Sequence, residues 1–223
     1  MFTEFGRVWE PRVGDLGAGS PWDAGGITRY TGAAYDHMPT RRRMGLSCVN
    51  LSAGVKLLTP LGFGEILVYG EGCLDCLPIE AVAAVWLYDD RPGMGGGTEV
   101  DFEHTRWSDP NQPDMVWLGV HYNQVHVLQL RSREEMGHLV AAPAMAYYHW
   151  RVRIRTTATE ARVAYEGWQP NPGRWLEAAA GLFVAPKTEF STLRLACWRS
   201  GPMQTKSRAP AKFAIAGVEF RPG

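Results

Sequence analysis

Glu99-Val100-Asp101-Phe102-Glu103 is the stretch on which the reading of this chain turns. In an extended strand, residues two apart share a face. Glu99, Asp101 and Glu103 therefore point one way, and Val100 and Phe102 point the other way into a core. Asp and Glu are poor strand formers. Three like charges in line also repel, and no cation alternates among them. The pattern describes either the solvated acidic face of an edge strand or a set of carboxyl groups held for chemistry. Two neighbours favour the second. One is the Gly-rich turn Gly93-Met94-Gly95-Gly96-Gly97, and the other is the aromatic strand that runs from Trp86 to Tyr88.

Outward from this stretch, short strand-like runs recur at regular spacing. They cover 45–51, 54–59, 63–70, 81–88, 98–104, 115–130, 147–156, 160–167, 191–198 and 211–220. Turn signals such as Thr59-Pro60-Leu61-Gly62 and Pro170-Asn171-Pro172-Gly173 separate them. Ala81 to Tyr88 is apolar on both parities, which predicts a central strand covered on both faces. Arg151-Val152-Arg153-Ile154-Arg155 alternates and predicts one wet face. Residues 133–142 and 174–183 are expected to be helical. Residues 1–44 are rich in Gly, Pro and Arg and show no period. They are expected to form an irregular segment wrapping a sheet, with one or two short strands. No linker divides the chain, so one domain over 1–223 is expected.

Composition agrees with an all-β fold. The 223 residues hold 25 Gly and 15 Pro, punctuation that favours a sandwich or barrel. Lys plus Arg and Asp plus Glu number 23 each, which argues against a strongly basic nucleic-acid binder. No apolar run approaches the roughly 18 residues that span a bilayer. The opening Met1-Phe2-Thr3-Glu4 shows no secretory signal pattern, which leaves the compartment open. Nine Trp exceed what one core needs. Some are expected to line a surface that stacks on a flat ligand such as a sugar face.

Two carboxyl groups flanking a bond are the equipment for glycoside hydrolysis, roughly 5–5.5 Å apart for retention and roughly 6.5–9.5 Å apart for inversion. The Cα atoms of Glu99 and Glu103 lie about 13 Å apart on a straight strand. Leaning side chains and a bent strand can close that gap to either value. Asp101 sits between them. Close carboxylates do not all ionise cheaply, so at least one pKa is expected to rise. That lets one Glu stay protonated as an acid beside a charged neighbour.

Glu99-Val-Asp-Phe-Glu103 resembles the Glu-x-Asp-x-Glu signature of glycoside hydrolase family 16. The likeness extends to Val82–Tyr88 and Phe63–Val68 before the signature. After it come Leu118–Asn123, Tyr148–Ile154, Ala164–Gly167, Leu193–Trp198 and Ala214–Phe220. It covers roughly residues 45–223. The resemblance implies a β-jelly roll of two curved antiparallel sheets, concanavalin A-like, with sugar bound on the concave face. It implies a retaining endo-glycosidase or transglycosidase acting on a β-linked polysaccharide, as a monomer. Glu99 would be the nucleophile, Glu103 the acid/base, and Asp101 the group that hydrogen-bonds the nucleophile. The single residue between Asp101 and Glu103 resembles the branch acting on mixed-linkage or β-1,4-linked glucans.

Strand parity under this resemblance nominates Trp86, Tyr88, Trp117, His121, Asn123, Arg194 and Trp198 as cleft residues. Trp198 is expected in the cleft, and Trp86 either there or in the core. Three positions depart from the family pattern: Gly97 and Ile154 where aromatics are usual, and Glu166 where Asp is usual. They bear on substrate more than on mechanism. No cofactor is expected. The resemblance allows a structural calcium ion on the convex side, though no loop spells one.

Cys73-Leu74-Asp75-Cys76 has metal-ligand spacing, but Cys48 and Cys197 stand alone, a weak zinc pattern. A Cys73–Cys76 bridge or buried thiols is the expectation. His104 faces opposite to Glu103. The Arg41-Arg42-Arg43 run reads as a solvated or carboxylate-paired loop. Two other readings stay open: a carbohydrate-binding or structural jelly roll that does no chemistry, and a partner-binding domain whose Arg41–Arg43 loop docks an acidic surface.

Overall fold

A computed structural model describes residues 1–12, 27–48, 53–89, 98–111, 116–121, 147–184, 191–199 and 211–223. The described strands are β1 (Phe2–Glu4), β2 (Arg7–Arg12), β3 (Ile27–Thr31), β4 (Arg42–Cys48), β5 (Ala53–Leu57), β6 (Gly64–Glu71), β7 (Ala81–Tyr88), β8 (Glu99–Thr105), β9 (Val116–His121), β10 (His149–Thr156), β11 (Glu160–Gln169), β12 (Arg174–Val184), β13 (Thr192–Arg199) and β14 (Ala211–Pro222). One 3-10 turn, Leu74–Cys76, joins β6 to β7. The strands form two seven-stranded sheets. The first runs β1-β2-β5-β13-β7-β8-β9, and the second runs β12-β11-β10-β6-β14-β4-β3. This is the expected jelly-roll sandwich.

The two-residue period places the core. Val100 and Phe102 of β8, Leu118 and Val120 of β9, and Leu193, Leu195 and Cys197 of β13 face the second sheet. They meet Ile66, Val68, Trp150, Val152, Ile154 and Val163 in one continuous apolar cluster. β7 lies between β13 and β8 and is buried along nearly its whole length, as its double-parity pattern predicts. Trp150 of β10 is 1 % exposed and lies flat against Gly70 of β6. A Cβ at Gly70 would come within 2.0 Å of the Trp150 ring, so only glycine fits there.

One helical expectation is corrected. Residues 174–183 are not helical but form most of β12, paired with β11. The turn after Gln169 decides it. Gly173, at φ +79°, donates its N–H to the Gln169 carbonyl, and the chain returns antiparallel. Pairing then overrides the helical preference of the Ala178-Ala179-Ala180 run. The segment 133–142 lies outside the described residues.

The N-terminal 44 residues contribute more strand than expected. Phe5 and Gly6, at φ 53° and 70°, close a two-residue hairpin between β1 and β2. β2 extends the first sheet by pairing with β5, and its Trp9 is buried in the core. β3 pairs with β4 at the edge of the second sheet. Among the described residues of this segment, the stretch between β3 and β4 wraps a sheet. Its Met38 packs on Leu67, Tyr69 and Ala216 of the outer face. The three arginines also divide. Arg41 and Arg42 are exposed, while Arg43, within β4, is buried and paired with Glu71.

Cys73 and Cys76 form a disulfide, and Cys48 and Cys197 are buried thiols. Asp75, inside the disulfide loop, accepts a hydrogen bond from His104 Nε2 at 2.8 Å. His104 is 2 % exposed on the core side of β8. The loop thus pins β8 from behind.

Candidate active site

β8 holds Glu99, Asp101 and Glu103 on the outer face of the first sheet, because Val100 and Phe102 occupy the core face. Glu99 and Glu103 are half-buried and Asp101 is 7 % exposed. Cross-strand register places their neighbours. Tyr88 and His121 stand opposite Glu99, Trp86 and Gly119 opposite Asp101, and Ala84 and Trp117 opposite Glu103. Directly opposed residues share a face. On β13, Arg194 opposes Trp86, and Trp198 opposes Val82.

These outer-face residues form an apolar cluster separate from the core. Trp86 packs with Ala84, Ala196, Tyr88 and Trp198. The Trp86 and Trp198 rings meet edge to face, 6.2 Å apart. The open question about Trp86 is therefore settled: it lies on the acid side of the sheet. Arg194 lays its guanidinium over the Tyr88 ring at 4.6 Å. Trp117 donates its indole N–H to the Thr105 carbonyl at 3.0 Å and lies edge-on to Trp107. Among the predicted cleft residues, His121 is placed by its backbone alone, and Asn123 lies outside the described residues.

Three features escaped the sequence reading. Trp107 is 40 % exposed beside Trp117, on a turn where φ is positive at Trp107 and Ser108. Lys56 of β5 stands opposite Arg194 and extends the face. The Asp75–His104 pair supports the acidic strand from the core side. The Cys73–Cys76 bridge itself was expected and is formed, but nothing in Cys73-Leu74-Asp75-Cys76 signalled that Asp75 would meet His104.

The electrostatics separate the three acids. Burial, with the Glu99 charge second, pushes the Glu103 carboxyl up to about 8. Asp101 is raised well above the usual carboxylate range, first by burial, then by the charges of Glu99 and Glu103 and by a hydrogen bond with Glu99. A protonated Asp101 donates to Glu99, and a protonated Glu103 stands beyond it. Such a strand can offer a Glu99 oxygen as a nucleophile and the Glu103 carboxyl as an acid.

A carboxyl whose pKa is raised on folding stabilises fully below its unfolded value, and that stability is lost as pH rises through the folded value. For Glu103 the window runs from 4.5 to about 8. The melting temperature is expected to fall across it, and Glu103→Gln is expected to flatten the slope. Differential scanning fluorimetry of both proteins checks this. Parallel slopes would show that Glu103 carries no proton there.

Comparison with solved structures gives the same architecture. A glycoside hydrolase family 16 endo-glucanase from Bacteroides ovatus, in complex with G4G3G-2F-DNP, superposes with a TM-score of 0.64 at 10 % identity. The match covers 99 % of this chain and 97 % of that one. An immunostimulatory antigen and pseudo beta-1,3-glucanase of Mycobacterium tuberculosis gives 0.56 at 15 %, covering 96 % and 91 %. The exoplasmic/lumenal domain of VIP36, in its Ca2+/Man3GlcNAc-bound form, gives 0.55 at 11 %, covering 96 % and 85 %. This chain has their fold. No family model and no curated protein sequence matches the chain. The likeness therefore resides in the path of the backbone.

Proposed function

We propose that the chain is a retaining endo-acting glycoside hydrolase or transglycosidase of a β-linked polysaccharide, with a β-glucan as the favoured substrate. The observation that carries this reading is the division of labour on β8. Three carboxyls share one face, Asp101 is hydrogen-bonded to Glu99, and burial pushes the Glu103 carboxyl up to about 8. In the first step a Glu99 oxygen attacks the anomeric carbon. The glycosidic bond breaks, and Glu103 gives its proton to the leaving oxygen. In the second step Glu103 takes a proton from water or an acceptor hydroxyl. That oxygen attacks the anomeric carbon and releases Glu99. The rate is expected to fall on an alkaline limb near pH 8, as Glu103 loses its proton.

The aromatic cluster supports the substrate side of the proposal. Sugar rings present apolar faces that stack on indoles, and Trp86, Trp198 and Tyr88 are gathered on the acid side of the sheet. Trp198→Ala is expected to raise KM for a polymer about tenfold with a smaller change in kcat, because it removes binding common to ground and transition states. Initial-rate kinetics on soluble β-glucan reads this. An equal loss in kcat would place Trp198 in the chemistry instead.

The deciding experiment is reducing-sugar release from a panel of β-glucans, agar and carrageenan, by the native chain and by Glu99→Gln and Glu103→Gln. Release abolished by both substitutions supports the proposal. A second reading is a glycan-binding module without turnover. The VIP36 domain, with the same fold, is seen with a bound Man3GlcNAc, and the Trp86–Trp198 cluster would serve binding alone. Retention of a polymer with no release from any member of the panel would favour it.

A further inference from the structure

The other side of the sandwich carries a cavity that the acidic strand does not explain. It has a volume of about 630 Å3 and opens on the outer face of the second sheet. That is within the usual size range of small-ligand sites, about 300–1,000 Å3. Tyr30 of β3 and Tyr148, just before β10, contribute to its walls, with Thr28, Ser47, Glu71 and Lys212 between them and the loop 72–78 at its rim. The two tyrosines are 49 % and 58 % exposed, large rings left open to water.

Glu71 is held in place. The buried Arg43 guanidinium donates to one of its oxygens, and the Tyr148 hydroxyl donates to the other at 3.2 Å. Arg43 is itself fixed, because it also donates to the carbonyls of Thr40, Arg42 and Ala33. The carboxylate therefore faces the cavity in one orientation. Gly45 keeps the neighbouring wall open. A Cβ there would reach within 2.5 Å of Thr28 Oγ1 and 3.6 Å of the Tyr30 ring. Burial and the Glu71 charge raise the Tyr30 and Tyr148 hydroxyls, which keeps both neutral at ordinary pH.

We propose that this cavity is a second glycan-binding site, taking a short stretch of a neutral polysaccharide on the face opposite the acidic strand. The chemistry selects that ligand. Exposed tyrosine rings offer flat apolar area for the C–H face of a sugar. A fixed carboxylate accepts charge-assisted hydrogen bonds from sugar hydroxyls, and Thr28, Ser47 and Lys212 supply further polar contacts. A second site away from the acids would keep a long chain tethered to the protein whether or not β8 acts on it. The inference does not depend on catalysis.

Affinity electrophoresis through gels containing mixed-linkage β-glucan, xyloglucan or laminarin tests it. The native chain is compared with the Tyr30→Ala/Tyr148→Ala double variant, with Ser47→Trp, which fills the cavity, and with Trp198→Ala on the other face. The native chain is expected to be retarded by at least one polymer. The Tyr double variant and Ser47→Trp are each expected to weaken that retardation about tenfold, with melting temperatures and activity on a short oligosaccharide unchanged. Unchanged retardation in the Tyr double variant would overturn the proposal. So would complete loss in Trp198→Ala alone, or no retardation of the native chain by any polymer. If retardation depends on the tyrosines but no sugar is released from any substrate, the second site stands and the catalytic reading falls. The reverse pattern fails the second site alone.

Discussion

Glu103→Gln is expected to lower kcat on a natural β-glucan by roughly 10²–10⁴-fold, the range that a positioned general acid supplies. The side chain keeps its shape and loses only the proton that the leaving oxygen needs. A substrate whose leaving group is already a good one, such as an aryl glycoside, needs that proton less. Its first step is therefore expected to recover most of its rate, and the glycosyl-enzyme then waits for water that Glu103 no longer activates. A burst of aryl alcohol followed by slow turnover is the signature, read by stopped-flow absorbance. In Glu103→Ala, added azide is expected to take the place of activated water and yield a glycosyl azide of retained configuration. Glu99→Gln differs in kind. It removes the attacking oxygen, so no leaving group restores the rate. Equal rescue of both variants by an aryl leaving group would refute the assignment of roles.

Trp150→Ala is expected to destabilise the fold by about 3–5 kcal/mol, the usual cost of deleting a fully buried large aromatic. The indole is 1 % exposed, lies on Gly70, and meets Phe213 edge to face at 5.8 Å. Its removal opens a cavity that the flat strands cannot collapse to fill. Gly70→Ala attacks the same contact from the other side. The added methyl would sit inside the Trp150 ring, so a loss of about 1–3 kcal/mol or more is expected from overpacking. The acids lie on the far face of the other sheet. Well below the melting transition, activity per folded molecule should therefore be unchanged in both variants. Urea melts paired with a polysaccharide assay check this. A matching loss of activity at full folding would mean that the two sheets are coupled across the core.

The architecture was legible because period two runs through the chain with few interruptions. Val100 and Phe102 between three acids gave β8 and its facing in five residues, and Ala81–Tyr88 gave the central strand beside it. What failed had identifiable causes. The Ala178-Ala179-Ala180 run carries a helical preference that a hairpin partner overrode, and the partner could be known only once the turn at Gly173 was in place. The N-terminal strands were hidden because β1 and β2 are short and are joined by Phe5-Gly6, where a Phe takes the left-handed conformation. Parity, read with the family resemblance, put Trp86, Trp117, Arg194 and Trp198 on the acid-bearing face. Parity alone did not decide whether Trp86 faced the core, because β7 is apolar on both sides. Trp107 was unreadable in principle, since its position depends on a turn and on the Trp117 ring that it meets.

A line of small residues crosses the first sheet beside Glu103. Ala84 opposes Glu103, Ala196 opposes Ala84, and Gly54 opposes Ala196, where a Cβ would stand 2.9 Å from the Ala196 methyl. The indoles of Trp86 and Trp198 recline against this line. The tilt of the aromatic platform is thus set from beneath, one methyl at a time. Under the proposed function, the pitch of a sugar-stacking platform would be adjustable by evolution or design through Ala84 and Ala196.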